Sequence, residues 1–390
     1  MYNFKHSIGV FVAVFFLFFL GKLVAQERII TTGVPFLLIT PDARAAGMGE
    51  QGVATSVDAF SQQWNPSKYV FSEHKSGFGI SYTPYLSKLV DDIFLANITY
   101  FNKNSNRSAW AMSLKYFSLG DIVLNDLVAG TIIEQGIERP NELTLDFSYS
   151  LLLNSKFSMA VAARFIRSDL KISSDLDASS ANTMGVDIAG FYKSDLFDCA
   201  KKKARLRLGF NISNIGPRLK YDEGGQKNFI PTNLKVGSGL SLNLDSNNKI
   251  SLNIEFNKLL VPTPVPVINK NTGKFDRYEQ PDISFLSGIF ESFSDAPDGY
   301  SEELKEITWG IGSEYNFQDA FALRAGYFNE SLEKGSRRYF TLGTGFSLNF
   351  ADIDISYLFS TSRVRNPLEN TLRFSITFNL DNPQLTDEGG

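Results

Sequence analysis

The chain has 390 residues, a formal net charge of −4, two histidines and a single cysteine. The slight acidic balance gives no reason to expect a nucleic-acid partner. The lone Cys199 excludes an internal disulfide, and the shortage of histidine removes His-based triads and His-rich metal sites.

The N-terminus reads MYNFKHS and then IGVFVAVFFLFFL, a short positive region followed by about 13 apolar residues. The run is short for a spanning helix of roughly 20 residues, and the pattern predicts a signal peptide over residues 1–25, ending at Ala25. No later apolar run is long enough to cross a bilayer as a helix, so the remainder is either a soluble exported protein or a membrane β-barrel. Without disulfides it needs another source of stability, and a closed hydrogen-bonded barrel is one. The 34 phenylalanines and 15 tyrosines suit strands and interfacial girdles.

A glycine- and alanine-rich stretch precedes the first strand. In it GMGEQG (47–52) fits G-x-G-x-x-G, but a dinucleotide site needs a strand directly before it and a βαβ unit around it. Here PDARAA intervenes after FLLIT, so the glycines are read as allowing tight backbone packing in a confined space. The stretch ends in WNPSKYV (64–70), where Asn65-Pro66 reads as a turn or a helix stop, because Pro fixes φ and Asn favours a side-chain turn.

From Gly77 the chain becomes a train of alternating segments. In the last, Leu372, Phe374, Ile376, Phe378 and Leu380 alternate with Thr371, Arg373, Ser375, Thr377 and Asn379. Period two over such lengths means a strand with one apolar and one polar face. Fourteen segments read this way: 77–84, 92–101, 108–118, 142–153, 157–169, 182–193, 203–213, 232–244, 248–260, 305–317, 320–329, 338–350, 351–360 and 370–380. Tight connections at 102–106, 154–156, 245–248, 316–319 and 349–352 alternate with longer ones at 119–141, 170–182, 214–231, 261–304, 330–337 and 361–369. That alternation predicts an outer-membrane barrel, tight turns in the periplasm and long loops outside. The segment 193–204 breaks the pattern and is read as an extended periplasmic turn.

The polar faces carry Asp146, Arg164, Asp187, Arg205, Arg207, Lys235, Glu255, Glu314, Arg324, Asp352, Asp354 and Arg373. A lipid-facing charge at mid-membrane costs about 2–4 kcal/mol, so these side chains are expected in the lumen. They line a conducting pore there or cross-brace a filled one. The largest insertion, 261–304, pairs the Pro-rich VPTPVPV with a short amphipathic helix that has Phe285, Leu286, Ile289, Phe290 and Phe293 on one side. Loop parity makes it extracellular, either a partner-binding loop or a lid over the mouth. Asp175 and Asp177 fit no EF-hand spacing and read as a solvated loop, and no catalytic constellation is found. The polar tail 381–390 is expected to be disordered in the periplasm.

The run PDARAAGMGEQGVATSVDAFSQQWNPSKYV (41–70) resembles the N-terminal hatch of FadL-like outer-membrane proteins, with Asn65-Pro66-Ser67 where that family carries an Asn-Pro-Ala type motif. More narrowly, PFLLITPDARAAGMGEQGVA (35–54) resembles the PorV family of the type IX secretion system. The resemblance implies an all-β fold, a transmembrane antiparallel barrel of about 14 strands over 76–380 with a plug over 26–75. Pro41, Arg44, Gly47, Gly49, Trp64, Asn65 and Pro66 are the plug motif residues. The plug would enter from the periplasmic side, with Trp64 packed on the barrel wall and Asn65-Pro66 fixing the turn into the first strand.

The resemblance further implies a non-enzymatic shuttle in the outer membrane of a Gram-negative bacterium, with no cofactor and no metal. Its expected partners are an SprA-type translocon barrel, a PorU-type sortase attachment complex, cargo with C-terminal signal domains, and outer-membrane lipid and lipopolysaccharide. The alternative is a FadL-type transporter of hydrophobic small molecules, which needs an apolar pocket in the lumen and a kinked strand beside the hatch. The charged inward faces oppose it, while Leu152, Ile166 and Phe191 on inward parities leave a pocket open. A membrane esterase would lack its Ser-His pair, since His74 precedes the barrel.

Overall fold

The alternation beyond Gly77 is realised as strands in the computed structural model, which describes residues 29–128, 131–171, 179–222, 225–348, 350–362, 366–369 and 371–380. The proposed signal peptide, Asp175, Asp177 and the tail 381–390 lie outside the described residues. The strands are β1 (Ser76–Pro84), β2 (Ile93–Ser105), β3 (Ser108–Leu119), β4 (Ile122–Val128), β5 (Thr131–Glu138), β6 (Asn141–Asn154), β7 (Phe157–Asp169), β8 (Ala181–Lys193), β9 (Phe197–Cys199), β10 (Lys202–Ile215), β11 (Asn233–Asn243), β12 (Asn248–Leu259), β13 (Val265–Ile268), β14 (Phe275–Glu279), β15 (Thr308–Phe317), β16 (Phe321–Asn329), β17 (Arg338–Ser347), β18 (Ala351–Ser360) and β19 (Leu372–Asn379). Fourteen of them form one closed antiparallel barrel, sealed where β19 pairs with β1 and where β10 pairs with β11. Closure leaves no unpaired edge, which is what lets a sheet cross a bilayer.

The sequence reading needs four adjustments. The connection 119–141 holds the β4–β5 hairpin and the insertion 261–304 holds β13–β14, both read from sequence as loops or irregular extended chain. A hairpin standing clear of the barrel buries neither face, so nothing imposes the period-two pattern on it; Val123, Ile132, Ile133 and Ile137 are all exposed. Strand β2 runs on through Ser105, which shortens the expected turn 102–106 to Asn106 and Arg107. Its polar end still pairs, with Lys103 opposite Ala109. Finally, β9 continues the wall beside β10 inside the extended turn after β8.

The two ends of the barrel differ as expected. Tight turns gather at one end and the long connections at the other. Aromatic pairs form belts on the outer face near each: Tyr82–Phe94–Tyr116 and Trp309–Tyr327–Phe340 toward the long loops, Tyr100–Trp110–Phe147 and Phe321–Phe346 toward the tight turns. Such paired girdles are the mark of a membrane-spanning barrel.

The segment before β1 fills the interior, and it reaches further than a stopper at the periplasmic end. Near the tight turns Ala59, Tyr69 and Val70 pack on Phe101, Ala109 and Ala111. At the long-loop end Val34 and Phe36 pack on Leu95, Phe117, Ile166, Leu219 and Ile230. The plug therefore runs the whole length of the lumen.

Its backbone lies directly on the wall because the wall is glycine there. Plug Gly47 faces Gly343, and the main chain at Met48 and Gly49 lies on Gly312 and Gly326. Gly49 itself has φ +72, a conformation that costs other residues strain. A side chain at Gly326 would overlap plug main chain that cannot swing away. Gly326→Leu is therefore expected to cost about 1–3 kcal/mol of overpacking, read as a lowered urea midpoint and weakened heat-modifiable migration. Ala325→Leu, on the adjacent outward position of β16, should leave both unchanged.

Candidate functional site in the plug and at the long-loop rim

The plug motif residues meet the wall through specific bonds, Gly47 excepted, which touches Gly343 by contact alone. The Pro41 carbonyl accepts from Thr83 Oγ1 at 3.2 Å. Asp42 caps the short helix Ala43–Ala46, accepting from Ala45 N at 2.8 Å, and its other oxygen accepts from Trp64 Nε1 at 2.7 Å. Trp64 is buried, packed on Gly52, with the Lys235 ammonium of β11 lying 4.5 Å from its ring centre. Asn65 donates from Nδ2 to Val53 O and to Gly190 O on β8, both at 3.0 Å, while Oδ1 accepts from Ser67 N at 3.1 Å. It thus ends one helical turn and caps the next, Pro66–Phe71, with proline at its favoured first position. The Pro66 carbonyl accepts from Ser150 Oγ at 3.0 Å.

Arg44 carries the most connected charge. Its guanidinium makes a bidentate pair with Glu314, 3.0 Å on each arm, and reaches Asp58 at 2.7 Å. Glu314 is shared with Arg324, which also holds Asp354 at 2.6 Å. A second brace joins Arg164 to Asp146 and Asp187, and a third joins Arg373 to Glu50 at 3.2 Å. All twelve wall charges predicted to face inward do so: nine are buried, and Arg205, Lys235 and Asp352 line lumen cavities. Of the two sequence readings of these charges, a cross-braced filled lumen fits this geometry.

Sequence reasoning put Glu255 on the inward face but missed its role: its carboxylate accepts from the backbone N–H groups of Gly52 and Val53, each at 2.9 Å. It also missed the buried Lys68, which donates to Gly52 O at 2.8 Å and Thr55 Oγ1 at 3.1 Å. No spacing marks such contacts: those of Glu255 join a strand to a coil 203 and 202 residues away, and those of Lys68 join two turns of the same irregular plug.

Among the described residues the plug separates one lumen cavity from another. One of about 420 Å³ opens among the tight turns and is lined by charged residues from both walls. The other, about 510 Å³, lies at the long-loop end between Leu38, Ile39, Tyr85, Leu259, Phe328 and Leu368, with Trp64 and Glu50 also in its lining. At its long-loop end β10 is irregular at Ile212–Ile215, with Asn214 at φ 61. That bulge is filled rather than open: Asn214 N donates to Asp187 Oδ1 at 2.7 Å, its Nδ2 donates to Pro231 O at 2.9 Å, and Arg164 bonds its Oδ1.

The insertion 261–304 is clasped to the rim by charge. Lys258 Nζ reaches Glu303 at 2.9 Å and Glu306 at 2.7 Å, and Lys334 Nζ reaches Glu302 at 2.7 Å and Glu306 at 3.0 Å. Burial alone would depress the Lys334 ammonium, but its bonds to Glu302 and Glu306 outweigh burial and hold it above its ordinary value. A raised lysine keeps its stabilising contribution below the unfolded pKa and loses it only as pH climbs through the folded one, so the clasp is complete at neutral pH. The helix Phe285–Glu291 rests through Gly288 on Phe229 and Pro262, and Arg218 ties Asp282 to the 214–231 loop at 2.8 Å. The expected single apolar side is split: Phe285 and Ile289 are half-buried, while Leu286, Phe290 and Phe293 are 52%, 75% and 50% exposed. The helix is a single short stretch, and its contact through Gly288 turns part of the apolar set inward.

A family model described as "Type IX secretion system protein PorV" matches residues 22–266. A search of curated proteins found no match. Among solved structures, the P. putida toluene transporter TodX is similar at 12% identity over 87% of this chain and 98% of its own, with a TM-score of 0.51. A TodX deltaS2S3 mutant, titled a monoaromatic hydrocarbon channel, is similar at 13% identity over 87% and 98%, also with a TM-score of 0.51. A Pseudomonas aeruginosa FadL homologue is similar at 10% identity over 91% and 100%, with a TM-score of 0.46. At these identities the likeness is one of fold.

Removing one member of a buried ion network leaves its partners uncompensated, at roughly 3–5 kcal/mol. Arg44→Ala should therefore lower the urea unfolding midpoint and loosen the plug. In planar bilayers the variant is expected to show open-channel events that the parent protein lacks.

Proposed function

The chain belongs to the PorV family of type IX secretion system proteins, and from that premise we propose that it acts as an adaptor at the cell surface and not as a conduit. It is an outer-membrane β-barrel of a Gram-negative bacterium with the FadL-like fold. In this reading the insertion 261–304 faces outward, as long loops of such barrels do. It binds the C-terminal signal domain of cargo leaving an SprA-type translocon and passes the cargo to a PorU-type attachment complex.

One observation carries the reading. The plug runs the length of the lumen and separates its cavities, yet Leu286, Phe290 and Phe293 stand exposed on a loop that ion pairs hold in place. Exposed apolar side chains on an anchored support are the signature of a protein-binding surface. The second reading, transport of hydrophobic small molecules, is favoured by the partly apolar cavity at the long-loop end. The plug beneath that cavity and the filled bulge in β10 weigh against passage.

An affinity pull-down from mildly solubilised outer membranes tests the choice. Recovery of a large translocon barrel, a sortase or exported proteins sharing a C-terminal domain supports the adaptor. A barrel recovered alone with bound lipid or fatty acid supports the transporter. Combining Leu286→Asp, Phe290→Asp and Phe293→Asp is expected to cut partner recovery by roughly tenfold or more while heat-modifiable migration stays intact.

A further inference from the structure

The cavity among the tight turns has an uneven distribution of charge. Its lining includes Lys193, Arg205, Arg207 and Lys249, contributed by β8, β10 and β12. Lys193 and Arg207 are direct cross-strand partners, and like charges so placed repel. Among the described residues none of the four has a carboxylate within ion-pair distance: Asp58, Glu314 and Asp354 in the same lining are held by Arg44 and Arg324, and the remaining lining carboxylates, Glu73, Asp319 and Asp352, form no ion pair with any of the four.

Two of the four cations are also positioned. The Arg207 guanidinium donates to Ala54 O at 3.0 Å and Ser241 Oγ at 2.6 Å, which fixes its orientation. The Lys193 ammonium sits 5.5 Å from the centre of the Phe71 ring. Arg205 Nε is buried and bonds nothing. A wall built for stability alone would set acid against base at these positions; this one leaves donors unanswered around an open volume of about 420 Å³.

We propose that this vestibule binds an oxyanion of the phosphate class, presented from the periplasmic side. Two guanidinium groups and two ammonium groups match a multiply charged tetrahedral anion better than a single carboxylate, because planar guanidinium forks offer paired donors. The tight-turn end is the one that faces the periplasm in an outer-membrane barrel. A soluble phosphate compound and a phospholipid headgroup share this chemistry.

Isothermal titration of the purified full chain in detergent at low ionic strength tests the site, with inorganic pyrophosphate and dihexanoyl phosphatidic acid as separate probes. Saturable binding of pyrophosphate points to a soluble ligand, and binding of phosphatidic acid alone points to a headgroup; both support the site. Arg205→Gln with Lys249→Gln should weaken binding by roughly tenfold or more. Lys201→Gln with Lys202→Gln, which removes equal charge outside the cavity, should leave it unchanged. Heat-modifiable migration confirms that each variant folds. No saturable binding of either probe, or equal loss in both double variants, overturns the proposal.

Discussion

A plug can sit inside a closed barrel only if its own backbone polar groups find partners there. The barrel wall offers few from its main chain, because its strands spend most of their N–H and C=O groups on their neighbours; Gly190 O, which accepts from Asn65, is an exception. The inward side chains must supply them, and they do. Glu255 accepts from two consecutive plug N–H groups, Thr341 Oγ1 from Gly49 N at 2.9 Å, and Ser375 Oγ from Ala43 N at 2.7 Å. Glycines on the wall let the coil come close enough for these bonds to form. The charged network follows from the same requirement, since a polar lining buried by a plug must be paired within itself.

That requirement separates the present barrel from a channel that shares its fold. The bulge in β10 and the cavity at the long-loop end are features a transporter would use. Here Arg164, Asp187 and Asn214 close the first, and the plug lies beneath the second. The exposed chemistry is instead on the insertion, where a few carboxylates and two lysines hold an apolar helix at the rim. The fold permits either use, and the side chains decide between them.

The barrel was legible in the sequence because membrane and lumen impose opposite polarity on successive residues. Asp146, Arg164 and Glu314 fell on the correct face from parity alone. The hairpins β4–β5 and β13–β14 were not legible, since neither is divided between two solvents. The plug motif could be located from Asn65-Pro66 and the Gly/Ala run. Its bonds could not, because Asn65 meets Gly190 and Arg44 meets Glu314 across separations that only the closed barrel brings together. The split of Phe285 and Ile289 from Leu286 and Phe290 likewise depends on Phe229, which belongs to another loop.

The seam between β1 and β19 joins the first and last strands of the barrel, so the cylinder cannot close until the whole chain is present. The plug touches both halves of the wall: Asn65 on β8, and Ala43 and Gly47 on β19 and β17. It also precedes every strand in the described chain. The plug is therefore a core shared by both halves of the wall, and the sealed β1–β19 seam leaves it no lateral exit.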